Sequence, residues 1–201
     1  MARRRPPIGV VLAGGPGRRM GGSKAMVRLA GRPLIVYPLE ALTMALDDVA
    51  VIAKADTLLP SLPGVTIWIE PPTPRHPLVG IAHALALADH RPVLVCAADL
   101  PFVTPELIDR VAHADPAGAP AVVASLEGEM RPLLGCYQQA ASRPLAPDAA
   151  NVDTPLREAV AAIGPRLFEV EDAEELFEVN APDDLLMASA MLDRRRRVSR
   201  T

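Results

Sequence analysis

The stretch Val10–Lys24, VVLAGGPGRRMGGSK, constrains this chain more than any other. An apolar, β-type run from Ile8 to Leu12 leads straight into it, and its fifteen residues hold five glycines, two arginines and a lysine. Glycine has no Cβ, so the backbone N–H groups of such a loop can approach a phosphate closely. The arginines and lysine add the charge that glycine cannot supply. A strand that ends this way reads as the start of an α/β sheet with a nucleotide-handling loop at its carboxyl edge.

Near misses narrow the kind of loop. A P-loop requires G-x-x-x-x-G-K-[ST]; Gly17 and Gly22 have that spacing, but Ser23 stands in the lysine's place and Ala25 follows Lys24. No hydroxyl is left where Mg²⁺ would be held. A dinucleotide fingerprint needs G-x-G-x-x-G, and here Met20 replaces the third glycine. The pattern that fits is L-A-[GA]-G-x-G-x-R-M-G-x-[DS]-K, the signature of nucleotidyltransferases that activate a phosphate with an NTP. Leu12, Ala13, Gly14, Gly15, Gly17, Arg19, Met20, Gly21 and Lys24 fall in register with it.

Hydrophobic period organises the rest. Strand-like runs are Gly9–Leu12, Val49–Ala53, Val65–Ile69, Val93–Ala97, Ala121–Ser125, Pro132–Tyr137 and Arg166–Val170. Helical spacing is expected over Pro33–Leu46, Leu78–Asp89, Thr104–Ala114, Gln138–Ala146, Thr154–Ala162 and Pro182–Leu192. Val93–Ala97 is apolar throughout, the mark of a strand covered on both faces. Alternating βαβ units of this kind give a single α/β domain, a mainly parallel sheet in a three-layer α/β/α sandwich. The expected division is a disordered basic segment over residues 1–7, the domain over 8–193 and a basic tail over 194–201.

Charge distribution excludes several classes. The net charge is −3, but Arg3–Arg5, Arg194–Arg197 and Arg200 hold eight of the 21 basic residues. The body from Pro6 to Asp193 therefore carries 13 basic against 24 acidic groups. An acidic body argues against nucleic acid as the main partner. The terminal arginine run RRRRVSR reads as a solvated, frayed end. Apolar runs such as Pro92–Ala98 are too short to span a bilayer. No h-region follows the N-terminal arginines, so a cytoplasmic protein is expected. Cys96 and Cys136 sit inside apolar runs without a CxxC or a nearby histidine, and read as buried small hydrophobes. Only two lysines occur, Lys24 and Lys54, against 19 arginines. A lysine kept inside a glycine loop against that bias points to a role for Lys24.

Two further motifs carry chemistry. Asp99-Leu100-Pro101-Phe102 follows the buried run Val93–Ala97. An acidic residue at such a strand tip is well placed to bind a divalent cation beside a triphosphate. The alternative is a helix cap, a part that Thr104 suits better. The segment Glu178-Val179-Asn180-Ala181-Pro182-Asp183-Asp184 taken alone is a helix start, with Asn180 as a candidate N-cap.

The three motifs together, in this order and spacing, resemble the molybdenum cofactor guanylyltransferases, the MobA-like NTP transferase family. The likeness runs from Val10 to Leu185 through LAGGPGRRMGGSK, HPLVGIAHAL, DLPF, RPLLGCY and VNAPDDL. It implies a nucleotide-diphospho-sugar transferase-like (Rossmann-like) fold. It also implies Mg²⁺-dependent transfer of GMP from GTP to the phosphate of molybdopterin, with release of pyrophosphate. By the same resemblance Leu12, Ala13, Gly14 and Gly15 hold the base and ribose side of the nucleotide through backbone groups. Arg19 and Lys24 hold the triphosphate, Asp99 binds Mg²⁺, and Asn180 lies on the metal's other side. Glu70 matches an acidic position near the nucleotide, and Gly80 lets the next helix approach the ligand. Arg19, Lys24 and Asp99 are thus the candidate catalytic residues. The reaction needs positioning and charge stabilisation rather than a protein nucleophile.

Three positions depart from the family pattern: Ser23 for Asp, His76 for the Gly of GPL, and Glu70 for Asp. His76 is read as crowding the base pocket, as donating to a substrate phosphate, or as an ordinary loop residue. Loops Glu127–Arg131 and Pro147–Thr154 are expected on the acceptor side. The rival readings are cytidylyl transfer to molybdopterin, nucleotidyl transfer to another small phosphate, and a non-catalytic nucleotide-binding module. The expected state is a monomer or weak oligomer, with no nucleic-acid or membrane partner.

Overall fold

The computed structural model describes residues 5–15, 24–150 and 153–198, and the statements below concern those residues. The strands in chain order are β1 (Ile8–Leu12), β2 (Arg28–Leu29), β3 (Arg32–Pro33), β4 (Val49–Lys54), β5 (Thr66–Glu70), β6 (Val93–Ala97), β7 (Ala121–Leu126), β8 (Glu129–Tyr137) and β9 (Arg166–Glu169). The helices are α1 (Val36–Ala45), α2 (Pro77–Leu87), α3 (Pro105–His113), α4 (Ser142–Ala150), α5 (Leu156–Ala162) and α6 (Pro182–Val198).

Seven strands form one sheet in the order β5-β4-β1-β6-β8-β7-β9. β5, β4, β1 and β6 run parallel; β8 is antiparallel to both β6 and β7, and β9 is parallel to β7. The all-apolar β6 explains itself in this arrangement. Leu94 and Cys96 face the layer of α1 and α3, whereas Val93 and Val95 face α2, α4 and α5. Burying each large side chain of this kind contributes about 1.5–3 kcal/mol relative to exposure. Both cysteines are buried, as the apolar runs around them imply.

A third, smaller cluster ties the edge of the domain to the site. Leu29 in β2 and Leu34 just after β3 pack with Phe102, Val179 and Ala188. Phe102 meets Phe177 edge-on with ring centroids 6.1 Å apart. The segment after β6 and the segment before α6 are therefore locked together, although 75 residues separate them in sequence.

The structure corrects four local expectations. Pro33 does not open α1: it pairs with Arg28 in β3, and the helix starts at Val36. The turn between the two short strands uses Ala30 and Gly31 at positive φ, and Arg28 Nη1 donates to the Gly31 carbonyl at 2.6 Å. Residues 138–146 are not one helix; a 3₁₀ turn at Gln139–Ala141 precedes α4, which continues to Ala150. The arginines 194–197 lie on α6 rather than in a frayed tail, since Arg194 and Arg195 both reach Glu174 and Arg195 also stacks on Phe102. At the other end, residues 5–7 are tied down: Arg5 pairs with Asp89 at 2.7 Å and Arg91 donates to the Pro6 carbonyl. No helix among the described residues is long and apolar enough to cross a membrane.

Candidate active site

Three chain segments meet beyond the carboxyl ends of β1 and β6. Lys24 opens a short 3₁₀ turn, Lys24–Met26, just past the glycine loop. Asp99 follows β6 within a turn, and the loop at Asn180 is fastened to it by a Val179 N–H donated to the Asp99 carbonyl at 3.0 Å. Lys24 Nζ donates to Asp99 Oδ2 at 2.6 Å and to Asn180 Oδ1. Neither partner of the ion pair is deeply buried, with side chains 23% and 13% exposed. The group can therefore exchange partners when a charged ligand arrives.

The helix-cap readings of these residues do not hold. Thr104 caps α3, accepting from Leu107 N–H at 3.1 Å, so Asp99 is free for the site. At α6 the Asp184 carboxylate accepts from both Asn180 and Ala181 N–H at 2.8 Å. The Asn180 side chain is left to face Lys24, while its Nδ2 donates to Glu178 at 3.0 Å.

A cavity of about 560 Å³ runs from this cluster across the sheet edge. Every expected site residue among those described lines it: Leu12, Ala13, Gly14, Gly15 and Lys24 from the loop side, with Glu70, Gly80, Asp99 and Asn180. Arg19, Ser23 and the remainder of the glycine loop lie outside the described residues. Among the described residues, a Cβ on Gly15 would meet nothing within 4 Å. Gly14 and Gly80 are hemmed in instead. A Cβ on Gly14 would fall 2.3 Å from Glu70 Oε1, and one on Gly80 would fall 3.0 Å from Leu12 Cδ2 and 3.3 Å from Glu70 Oε2. The absence of a side chain at Gly80 thus lets α2 close on β1 and Glu70.

The sequence reading missed Lys54. It ends β4, is 2% exposed, and its Nζ lies 3.2 Å from Glu70 Oε1. Both lysines of the chain therefore line one cavity. The rarity of lysine, which singles out Lys24 in the sequence, marks Lys54 equally. His76, also on the wall, is the N-cap of α2, where its Nδ1 accepts from Leu78 N–H at 3.3 Å. Partial burial lowers its pKa below the usual 6.5.

A second hollow of about 220 Å³ shares Leu133 with the first. Arg131, Arg157 and Glu178 give it polar groups, and the buried Arg131 Nε has no hydrogen-bond partner among the described residues. Of the loops expected on the acceptor side, Arg131 lies here, whereas residues 147–149 and 153–154 line neither hollow.

Comparison with known proteins agrees with this geometry. The MobA-like NTP transferase domain matches residues 9–166. A molybdenum cofactor guanylyltransferase of Cereibacter sphaeroides is 32% identical over 189 residues, covering 92% of this chain and 96% of that protein. Among solved structures, molybdopterin-guanine dinucleotide biosynthesis protein A of Archaeoglobus fulgidus superposes with a TM-score of 0.76 at 21% identity, covering 93% of this chain and 99% of that one. The 2-C-methyl-D-erythritol 4-phosphate cytidylyltransferase of Thermus thermophilus gives 0.66 at 22%, covering 92% and 98%. At those identities the structural likenesses speak for the fold alone, a nucleotidyltransferase fold.

Proposed function

The chain belongs to the MobA-like NTP transferase family, and on that footing we propose that it transfers GMP from GTP to the phosphate of molybdopterin. The observation that carries the reading is the meeting of Lys24, Asp99 and Asn180 at one end of a nucleotide-sized cavity. The relatives' names supply the two substrates.

The chemistry follows from charge. An oxygen of the acceptor phosphate attacks the α-phosphorus of GTP in line. The bond to the bridging oxygen breaks, and pyrophosphate leaves with its electrons. An ionised phosphate is already a nucleophile, so the protein's part is to align the groups and stabilise charge. The Lys24 ammonium is the group to follow the triphosphate, releasing Asp99 and Asn180 as it does so. Arg19 is assigned to the same triphosphate.

The donor set is suited to Mg²⁺. Lys24 Nζ already occupies a cation position touched by a carboxylate and an amide oxygen. Mg²⁺ is commonly held by one or two such protein groups, the remaining positions being filled by water and substrate phosphates. Asp99 would bind it, with Asn180 beside it, and the ion would neutralise charge on the phosphates. The second hollow, with Arg131, Arg157 and Glu178, is assigned to the body of the acceptor.

The test is pyrophosphate release from each of GTP, CTP, ATP and UTP with Mg²⁺ and molybdopterin, in the wild type and in Asp99→Ala. GTP-dependent release that vanishes in the variant supports the reading. Release from CTP alone would move the base assignment, and unchanged release in Asp99→Ala would remove the site.

A further inference from the structure

β5 closes one end of the sheet, and two of its apolar side chains are left uncovered. Ile67 and Ile69 are 38% and 52% exposed, whereas Trp68 between them packs against the layer of α2. Their neighbours across the ladder, Val51 and Ala53, are buried in the layer of α1 and α3. The two isoleucines thus continue that apolar face past its cover.

The backbone is open at the same two residues. Ala13 N–H donates to the Ile52 carbonyl at 2.8 Å, so Ile52 turns its peptide groups toward β1. Val51 and Ala53 then turn theirs toward β5, because successive residues of a parallel strand bond to opposite sides. In the register Ile52↔Trp68 it is Trp68 that meets them, and Ile67 and Ile69 turn N–H and C=O outward. No strand among the described residues lies beyond β5 to receive these groups.

Edges of this kind invite another chain, and proteins usually guard them with charge, proline or a bulge. β9, at the other end of the sheet, is guarded: Arg166 and Glu169 flank its exposed Leu167. β5 has no such guard over Thr66–Ile69, and its one charged residue, Glu70, is buried against Lys54.

We propose that β5 pairs with β5 of a second copy of this chain, antiparallel and about a two-fold axis beside Trp68. The symmetry of the edge argues for that occupant. Two outward residues placed evenly about Trp68 are their own complement, so Ile67 of each copy meets Ile69 of the other. Each of these pairs exchanges both of its N–H···O=C bonds. The isoleucines of both copies then lie together on one face of the joined sheet, since opposed residues project alike. Charge favours the same choice. From Pro6 to Asp193 the chain carries 13 basic against 24 acidic groups, so two copies repel over much of their surface. At this edge no exposed charge of β5 meets its own copy. Pro71 and Pro72 follow the strand and keep the seam short. So short a seam belongs to the small, transient class of interfaces, below about 1,200 Å². The dimer is therefore weak and depends on concentration. It stands apart from the transferase reading and survives or fails without it.

The experiment is analytical ultracentrifugation of the whole protein from about 5 to 500 μM, with amide hydrogen exchange at both ends of that range. Sedimentation should move from monomer toward dimer. The Ile67 and Ile69 amides should exchange freely in the dilute sample and several-fold more slowly in the concentrated one. The Trp68 amide, bonded to β4, should be protected in both. Ile67→Lys sets a charge on the seam and should raise the dimer Kd about tenfold or more. Ile67→Pro removes an outward N–H, leaves the ladder to β4 in place, and should act likewise. Monomer throughout the range overturns the proposal. So does a dimer in which the Ile67 and Ile69 amides stay as open as in dilute solution, a result that requires no variant to fold. A dimer that survives either substitution in a folded protein overturns it as well.

Discussion

Lys24 Nζ stands 2.6 Å from Asp99 Oδ2, so the lysine that closes the glycine loop is paired with the second residue beyond β6, the central strand of the sheet. The pair places opposite charges where a triphosphate is to be received. Lys24→Ala removes the positive member and leaves Asp99 to repel an anionic ligand. Loss of a charge-stabilising group from a nucleotidyl-transfer site lowers kcat by about 10²–10³. We expect a fall of that size in pyrophosphate release, with an unchanged far-ultraviolet circular dichroism spectrum. Both side chains are partly exposed, so the change in melting temperature should be small.

Gly14 tests the crowding around Glu70. An added methyl group would fall 2.3 Å from Glu70 Oε1, a distance no real contact sustains. The carboxylate is pinned by Lys54, so either the backbone or the ion pair must give. Overpacking of this sort destabilises by roughly 1–3 kcal/mol. Gly14→Ala is expected to lower the urea midpoint accordingly and to weaken GTP binding in titration. At Gly15 an added Cβ meets no described residue within 4 Å, and Gly15→Ala should leave stability within about 0.5 kcal/mol of wild type in urea denaturation.

Much of this site was legible in the sequence, for a physical reason. Glycine loops, strand-tip acids and helix caps are local devices, and the residues that perform them are adjacent in the chain. β6 declared itself because both its faces are buried. Lys54 was not legible: it ends an otherwise apolar strand, and its meaning lies in Glu70, sixteen residues away on the next strand over. The β2–β3 hairpin was missed because two residues per strand are too few to show a period. The run 194–197 looks like a solvated tail because the groups that receive Arg194 and Arg195, namely Glu174 and Phe102, lie far away in sequence.

Asp184 is predicted to act at a distance from the chemistry. Its Oδ2 accepts from the N–H groups of both Asn180 and Ala181, which fixes the loop that aims Asn180 at Lys24. Asp184→Ala removes this support and a favourable negative charge from the first turn of α6. Cap losses of this type are worth about 0.5–2 kcal/mol. The expected signature is that loss in chemical denaturation together with a reduced kcat, since Asn180 is no longer held. Asp184→Asn keeps an acceptor oxygen and should restore part of both. Full activity in a folded Asp184→Ala protein would show that Asn180 needs no such support.

The pH dependence of stability should carry a component from His76. Burial lowers its pKa from the usual 6.5, and its Nδ1 must stay unprotonated to accept from Leu78 N–H at the start of α2. Between the lowered folded value and 6.5, the unfolded chain binds the proton and the folded one does not. Stability therefore rises with pH through that window. The contribution is fully present above about pH 6.5 and is lost as the pH falls through the folded value. His76→Asn keeps an N-cap acceptor but cannot titrate. Melting temperatures of the two proteins measured from pH 7.5 down to pH 5 should run parallel at the upper end. They should then separate in favour of the variant as the medium becomes acidic. Parallel curves over the whole range would mean that His76 does not titrate in this window as a buried cap.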